Sequence, residues 1–151
     1  AIAPMAHGLA KGLGVQDAKD DKTKQLIYIK RTKSRLPANA EQFLAWRQHH
    51  GFEDFLLESM SLSEQILLFR KAKIVLGSHG AGLTNIIHCR PGTLVVEFMP
   101  VGLNRPCYPV LSQLFGLRHV MVHAPRVACR QGMEISIPVL DQIMEKYSER
   151  T

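Results

Sequence analysis

Residues 77–85 read GSHGAGLTN, a glycine-rich turn carrying serine, histidine, threonine and asparagine. Glycines where a strand gives way to a helix hold phosphorylated ligands in α/β proteins. Backbone N–H groups converge there, and the helix dipole favours an anion. Gly80 and Gly82 would let the backbone come close to such a ligand, and the methyl of Ala81 fits the same tight space. Ser78, His79, Thr84 and Asn85 stand at the mouth of an apolar unit, where polar side chains need partners. Such glycines also serve simply as packing devices, and the residues alone leave both readings open.

Three further residues extend this chemistry. Arg31 and Arg35 lie four apart in a basic loop, and guanidinium groups hold phosphates in bidentate fashion. Two arginines in a loop are equally common as plain surface. Glu97 ends an apolar run, and a buried carboxylate needs partners, either ribose hydroxyls or Arg31 or Arg35. His79 has three roles open to it. It can donate to a phosphate oxygen, act as a general base toward a hydroxyl, or cap a helix and bond a loop carbonyl. Ligand holding ranks ahead of catalysis. His88, His49 and His50 fall at helix ends, where a cation is favourable. His119 and His123 flank a strand without the spacing of metal ligands.

Absences narrow the chemistry. GxxGxG after a third strand is neither the dinucleotide fingerprint nor a P-loop. No DxD pair occurs, so a dedicated metal is not expected. There is no GxSxG elbow, no HExxH helix and no plausible Cys–His pair.

The elements that must position these residues alternate. Strands are expected over 26–29, 52–57, 73–77, 94–98 and 118–124. Helices are expected over 40–50 with Asn39 as N-cap, after Ser61 or Ser63, over 81–89, over 108–115 and over 138–147. A short helix at 5–13, a polar linker at 16–24 and a loop at 125–132 complete the chain. This rhythm implies an α/β fold, a Rossmann-like mostly parallel sheet with helices on both faces. Ligands bind such sheets at the carboxyl ends of strands. The loop after Ile29, the turn after Leu76 and the end of 94–98 then share one rim. Residues 1–25 read as a helix and linker, and 26–151 as the domain.

Composition bounds the rest. The chain has 151 residues, 46% hydrophobic and 21% charged, enough for one domain with its own core. A net charge of +6 suits anionic ligands, equally a solvated basic surface. The basic residues are dispersed and aromatics are only 7%, which argues against a nucleic-acid partner. No apolar run approaches the ~18 residues of a membrane span. Cys89, Cys107 and Cys129 are odd in number and follow no CxxC pattern, which favours free thiols and a reducing compartment.

YIKRTKSRLPANAEQF followed by SLSEQILLFRKAKIVLGSHGAGLTNIIHCRPGTLVVEFMP resembles the carboxyl-terminal half of glycosyltransferase family 61. That family includes plant xylosyltransferases and the EGF-domain O-linked N-acetylglucosamine transferase. The resemblance spans residues 26–123 and implies one lobe of a GT-B architecture. It implies an inverting, metal-independent enzyme of glycan synthesis, with a UDP-linked nucleotide sugar as substrate and no cofactor. Arg31, Arg35 and Asn39 would then join His79, Gly80, Ala81, Gly82, Thr84 and Asn85 around the diphosphate, with Glu97 near the ribose. The acceptor would be a glycan or protein hydroxyl. Only about 25 residues precede the first strand, so an amino-terminal lobe is expected elsewhere, and the isolated chain is expected to be inactive. Members act in the cytoplasm in bacteria and in the secretory lumen in eukaryotes; the cysteines favour the former.

Overall fold

Continuous apolar runs without in–out alternation belong in strands covered on both faces, and the computed structural model places them so. It describes residues 25–127 and 132–148. β1 (Gln25–Ile29), β2 (Glu53–Phe55), β3 (Ala72–Ser78), β4 (Leu94–Pro100) and β5 (Arg118–Ala124) form one sheet in the order β2-β1-β3-β4-β5. Every pairing in it is parallel. β4, buried along its whole length, lies between β3 and β5. The fold is the expected Rossmann-like α/β arrangement.

Side chains alternate across each strand, and so divide the core into two layers. Ile74, Leu76 and Phe98 pack with Phe43 and Trp46 of α1 (Ala40–His49). Leu140 of α4 (Ile137–Ser148) joins the same layer. On the other face, Val75 and Val95 pack with Leu68 and Phe69 of α2 (Leu62–Lys71). Tyr108 of α3 (Cys107–Leu114) belongs to this second layer. Ser61, rather than Ser63, starts α2 through a capping box: its hydroxyl accepts from the Glu64 N–H, and Glu64 accepts from the Ser61 N–H at 2.7 Å.

Several expectations need correction. Residues Ala81–His88 form a 3₁₀ helix, not an α-helix. In that geometry residues i and i+3 align, and Leu83, Ile86 and Cys89 make one buried edge against α2 and the sheet. The second strand shrinks to Glu53–Phe55 at the sheet edge, and Leu57–Ser59 turns as a second 3₁₀ helix. The expected loop at 125–132 holds part of an antiparallel ribbon, β6 (Arg126–Val127) with β7 (Gly132–Met133). The expected helix at 5–13, the linker at 16–24 and Cys129 lie outside the described residues. Among the described residues, no helix is long and apolar enough to cross a membrane.

The strand order fixes where a ligand can enter. From β1 the chain moves outward to β2, then returns to β3 on the other side of β1. Loops leaving β1 and β3 therefore diverge and leave a crevice at their carboxyl ends. Ile29 is in register with Gly77, so the two exits stand at one level.

Candidate functional site

The arginine pair and the glycine turn meet in this crevice. A Cβ placed on Gly80 would stand 1.9 Å from Arg31 Nη1 and 3.4 Å from Arg35 Nη1. Both guanidinium groups thus converge on one point of backbone. Arg31 is steadied by the carbonyl of Ser34 at 3.0 Å and its hydroxyl at 3.3 Å. Arg35, in the left-handed region at φ 57°, donates through Nη1 to the backbone carbonyl of His79. Ser78 donates in return to the carbonyl of Arg35 at 2.9 Å. Among the described residues, neither arginine pairs with a carboxylate. Desolvation first, then the positive charges of Arg31, Arg105 and Arg126, hold the Arg35 guanidinium below its usual value. Cations gathered without counter-charge are the electrostatic signature of an anion site.

A cavity of about 230 Å³ opens beside this point, lined by Ile29, Arg31, Lys33, Ser78, Ala81 and Gly82 among others. A larger groove of about 900 Å³ lies between α1 and α4, bordered by Trp46, His49 and Asp141. None of the residues expected at the site lines that groove, and the smaller cavity is the one with the chemistry.

Behind the arginines runs a buried polar chain. Glu97 is not at the end of a strand: β4 continues to Pro100, and Glu97 sits mid-sheet opposite Gly77 and Met121. It is fully buried and points into the α2–α3 layer. Its Oε1 meets His79 Nδ1 at 2.5 Å and its Oε2 meets His119 Nε2 at 2.9 Å. His119 Nδ1 in turn meets Ser112 Oγ at 2.8 Å. The expected pairing of Glu97 with Arg31 or Arg35 is therefore replaced by two imidazoles. With both oxygens engaged inside the protein, Glu97 reaches a ligand only through His79. Tyr108 closes the other flank, its ring 5.1 Å from that of His79 and its hydroxyl donating to the Gly80 carbonyl at 2.6 Å.

The remaining expected residues divide. Ala81 is exposed and lines the cavity, and Thr84 is exposed on the 3₁₀ helix with its side chain hydrogen-bonded to the Tyr108 hydroxyl. Gly82 is half-buried, and a Cβ there would press on Ile29 and Leu57, both at 3.3 Å, so this glycine serves packing. Asn85 turns toward α2, donating to Gln65 Oε1 at 3.0 Å. Asn39 makes no side-chain cap on α1. It clamps Ile135 instead, accepting from its N–H at 3.0 Å and donating to its carbonyl at 2.8 Å. His88, expected to gain from a helix end, is buried; desolvation and then Arg70 hold it below the usual imidazole range.

The sequence reading missed Ser112, His119 and Tyr108 as parts of the site, and Arg105 and Arg126 as neighbouring charges. His119 did carry a signal: it alternates with Val120 and Val122, so it must face the opposite layer from them. Among the described residues, no cluster of three or more His, Cys, Asp or Glu side chains is arranged to hold a metal ion.

The sequence profile of the family described as Glycosyltransferase 61 matches residues 6–96. A beta-1,2-xylosyltransferase of Arabidopsis thaliana is 34% identical over 68 residues, 45% of this chain and 13% of the relative. A rice (Oryza sativa subsp. japonica) beta-1,2-xylosyltransferase is 31% identical over 70 residues, 46% of this chain and 13% of its own length. A rice alpha-1,3-arabinosyltransferase is 28% identical over 102 residues, 63% of this chain and 18% of its own length. The chain thus spans less than a fifth of these relatives. With the matched segment covering more than half of its residues, the chain belongs to the glycosyltransferase 61 family.

Proposed function

We propose that this chain is the nucleotide-sugar-binding lobe of an inverting, metal-independent glycosyltransferase of GT-B architecture, with a UDP-linked sugar as substrate and no cofactor. The observation that carries the reading is the convergence of Arg31 and Arg35 on Gly80 with no carboxylate partner among the described residues. A diphosphate supplies the missing negative charge. As the anomeric carbon–oxygen bond breaks, charge grows on the diphosphate, and fixed guanidinium groups stabilise it more than the ground state. A cavity of about 230 Å³ is smaller than a complete small-molecule site, which suits half of a cleft whose other wall belongs to a second lobe.

The acceptor is a glycan or protein hydroxyl, and the relatives' names make a pentose the first donor sugar to try. Similarity to plant proteins supports the secretory lumen over the reducing compartment favoured by the cysteines. Calorimetric titration with UDP, GDP and UDP-sugars tests the reading. Binding by UDP and the UDP-sugars, weakened in both Arg31→Ala and Arg35→Ala, is the expected result. Absence of any binding at millimolar concentration would sink it. The same geometry would serve a non-catalytic nucleotide-binding module. Release of free UDP from a UDP-sugar, measured with the full-length protein and an acceptor glycan, separates the two.

A further inference from the structure

We infer that Ser112 and His119 are positioning residues that act through Glu97 to hold His79 as its Nδ1–H tautomer, so that His79 Nε2 offers a lone pair to a ligand hydroxyl. The inference follows from counting protons. An ionised carboxylate only accepts hydrogen bonds. The Oε1 and Oε2 atoms of Glu97 each face an imidazole nitrogen, at 2.5 Å and 2.9 Å. Nδ1 of His79 and Nε2 of His119 therefore both carry protons. With its Nε2–H turned to Glu97, His119 presents Nδ1 to the Ser112 hydroxyl, which donates to it across 2.8 Å. Each group in the chain has one consistent role, and the serine proton is the only one free to turn.

Two observations fix the open end. Arg35 already lies against the carbonyl of His79, and Arg31 against Gly80. These guanidinium groups crowd the His79 ring, and the single Glu97 carboxylate is shared with His119, so His79 has the least counter-charge to spare for a second proton. Every buried side-chain nitrogen or oxygen among the described residues has a partner. His79 Nε2 makes no hydrogen bond to another described residue, so this atom keeps some access to solvent although the residue is only 5% exposed. A lone pair there repels phosphate oxygens and accepts from a hydroxyl. The glycine turn thus holds two unlike subsites: arginines for the diphosphate, and His79 for a hydroxyl of the nucleotide sugar or its acceptor. Identifying whose hydroxyl it is rests on the function proposed above; the tautomer does not.

Long-range ¹H–¹⁵N spectra of the imidazole rings in the full chain test this directly. In wild type at neutral pH, His79 should show a protonated Nδ1 and a bare Nε2, and His119 the reverse. His119→Phe, which keeps ring volume but removes the donor to Oε2, should give mixed tautomers at His79. His119→Gln, which restores an N–H near Oε2, should return the single form. Ser112→Ala, the gentler change, should shift the His119 Nδ1 resonance and leave the fold intact. UDP-sugar affinity should fall about fivefold in His119→Phe, the loss of roughly one hydrogen bond's orientation. A wild-type His79 protonated at Nε2 would overturn the inference, as would a second proton taken up when UDP binds. Failure of UDP to bind, with the Nδ1–H form present, would remove the functional reading and leave the relay standing.

Discussion

Arg31 Nη1 lies 1.9 Å from where a Cβ would stand on Gly80. Gly80 has an extended backbone, φ 160° and ψ 173°, which any residue adopts. It is glycine because a guanidinium fills its side-chain space. Three residues earlier, Gly77 lacks a Cβ for another reason: one placed there would sit 2.9 Å from Leu83 Cδ2, deep in the core.

These two glycines predict opposite phenotypes. Gly80→Ala displaces the far end of a flexible side chain, so its melting temperature should stay close to wild type. Its UDP affinity should drop about tenfold or more, the loss of a charge-assisted hydrogen bond. Gly77→Ala overpacks a buried strand and should cost about 1–3 kcal/mol of stability. Thermal melts and calorimetry on the two variants check this. If Gly80→Ala binds UDP as wild type does, Arg31 is not a ligand contact.

Arg47 and Asp54 give a prediction about the scaffold. The buried guanidinium makes two 2.9 Å bonds to the carboxylate and lies 4.2 Å over the Tyr28 ring and 4.3 Å over that of Phe43. This ties α1 to β2, the three-residue edge strand that pairs with β1 on its other side. Arg47→Ala should cost about 2–3 kcal/mol, since it removes both hydrogen bonds to Asp54, leaving that carboxylate, among the described residues, only Lys30 at 4.0 Å, and opens a void between rings. Arg47→Lys should recover little, because an ammonium cannot reproduce the planar fork. Urea unfolding measures both. Wild-type stability in the lysine variant would refute the importance of the fork.

Legibility in the sequence followed locality. β3 and β4 were readable because strands buried on both faces are largely apolar runs, and Ser61 and Ser63 were both readable as the start of α2, a choice that the Glu three residues after Ser61 decides. The arginine pair and the glycine turn were readable as candidates for one ligand-holding rim because each is a local motif, and the structure brings them together at Gly80. Glu97 was placed on the right strand, and the arginine partners expected for it give way to two imidazoles. Its imidazoles come from β5 and from the turn after β3, brought close by sheet register alone. Asn39 carries the residue type of a helix cap, yet its partner lies 96 residues away. The 3₁₀ turn was not legible, because Leu83, Ile86 and Cys89 at every third residue fit the apolar face of an α-helix as well as one 3₁₀ edge.

His88 supplies a pH prediction. In the unfolded chain it titrates near ~6.5, and in the folded protein burial holds it lower. Between the two values the unfolded state binds more protons, so stability falls as pH drops through ~6.5 and below. His88→Gln should lose less stability than wild type between about pH 7.5 and pH 5.5, a range that brackets the ordinary imidazole value. Other histidines contribute to both proteins and cancel in the difference. Equal losses in urea midpoint for the two proteins would exclude His88 as a source of acid sensitivity.

Asn39 and Ile135 yield the last test, which separates a ligand residue from a structural one. The Asn39 amide satisfies both the N–H and the carbonyl of Ile135, whose side chain is 1% exposed. This clamp joins the start of α1 to the segment between β7 and α4. Asn39→Ala leaves two backbone groups without partners and should cost about 2–3 kcal/mol. Asn39→Asp should be no better: its carboxylate still accepts from the N–H, but it sets an anion against the Ile135 carbonyl. In both variants UDP affinity should match wild type once measured well below the melting temperature. A fall in affinity with unchanged stability would return Asn39 to the ligand site, because only a residue that touches the nucleotide sugar can weaken binding without loosening the clamp.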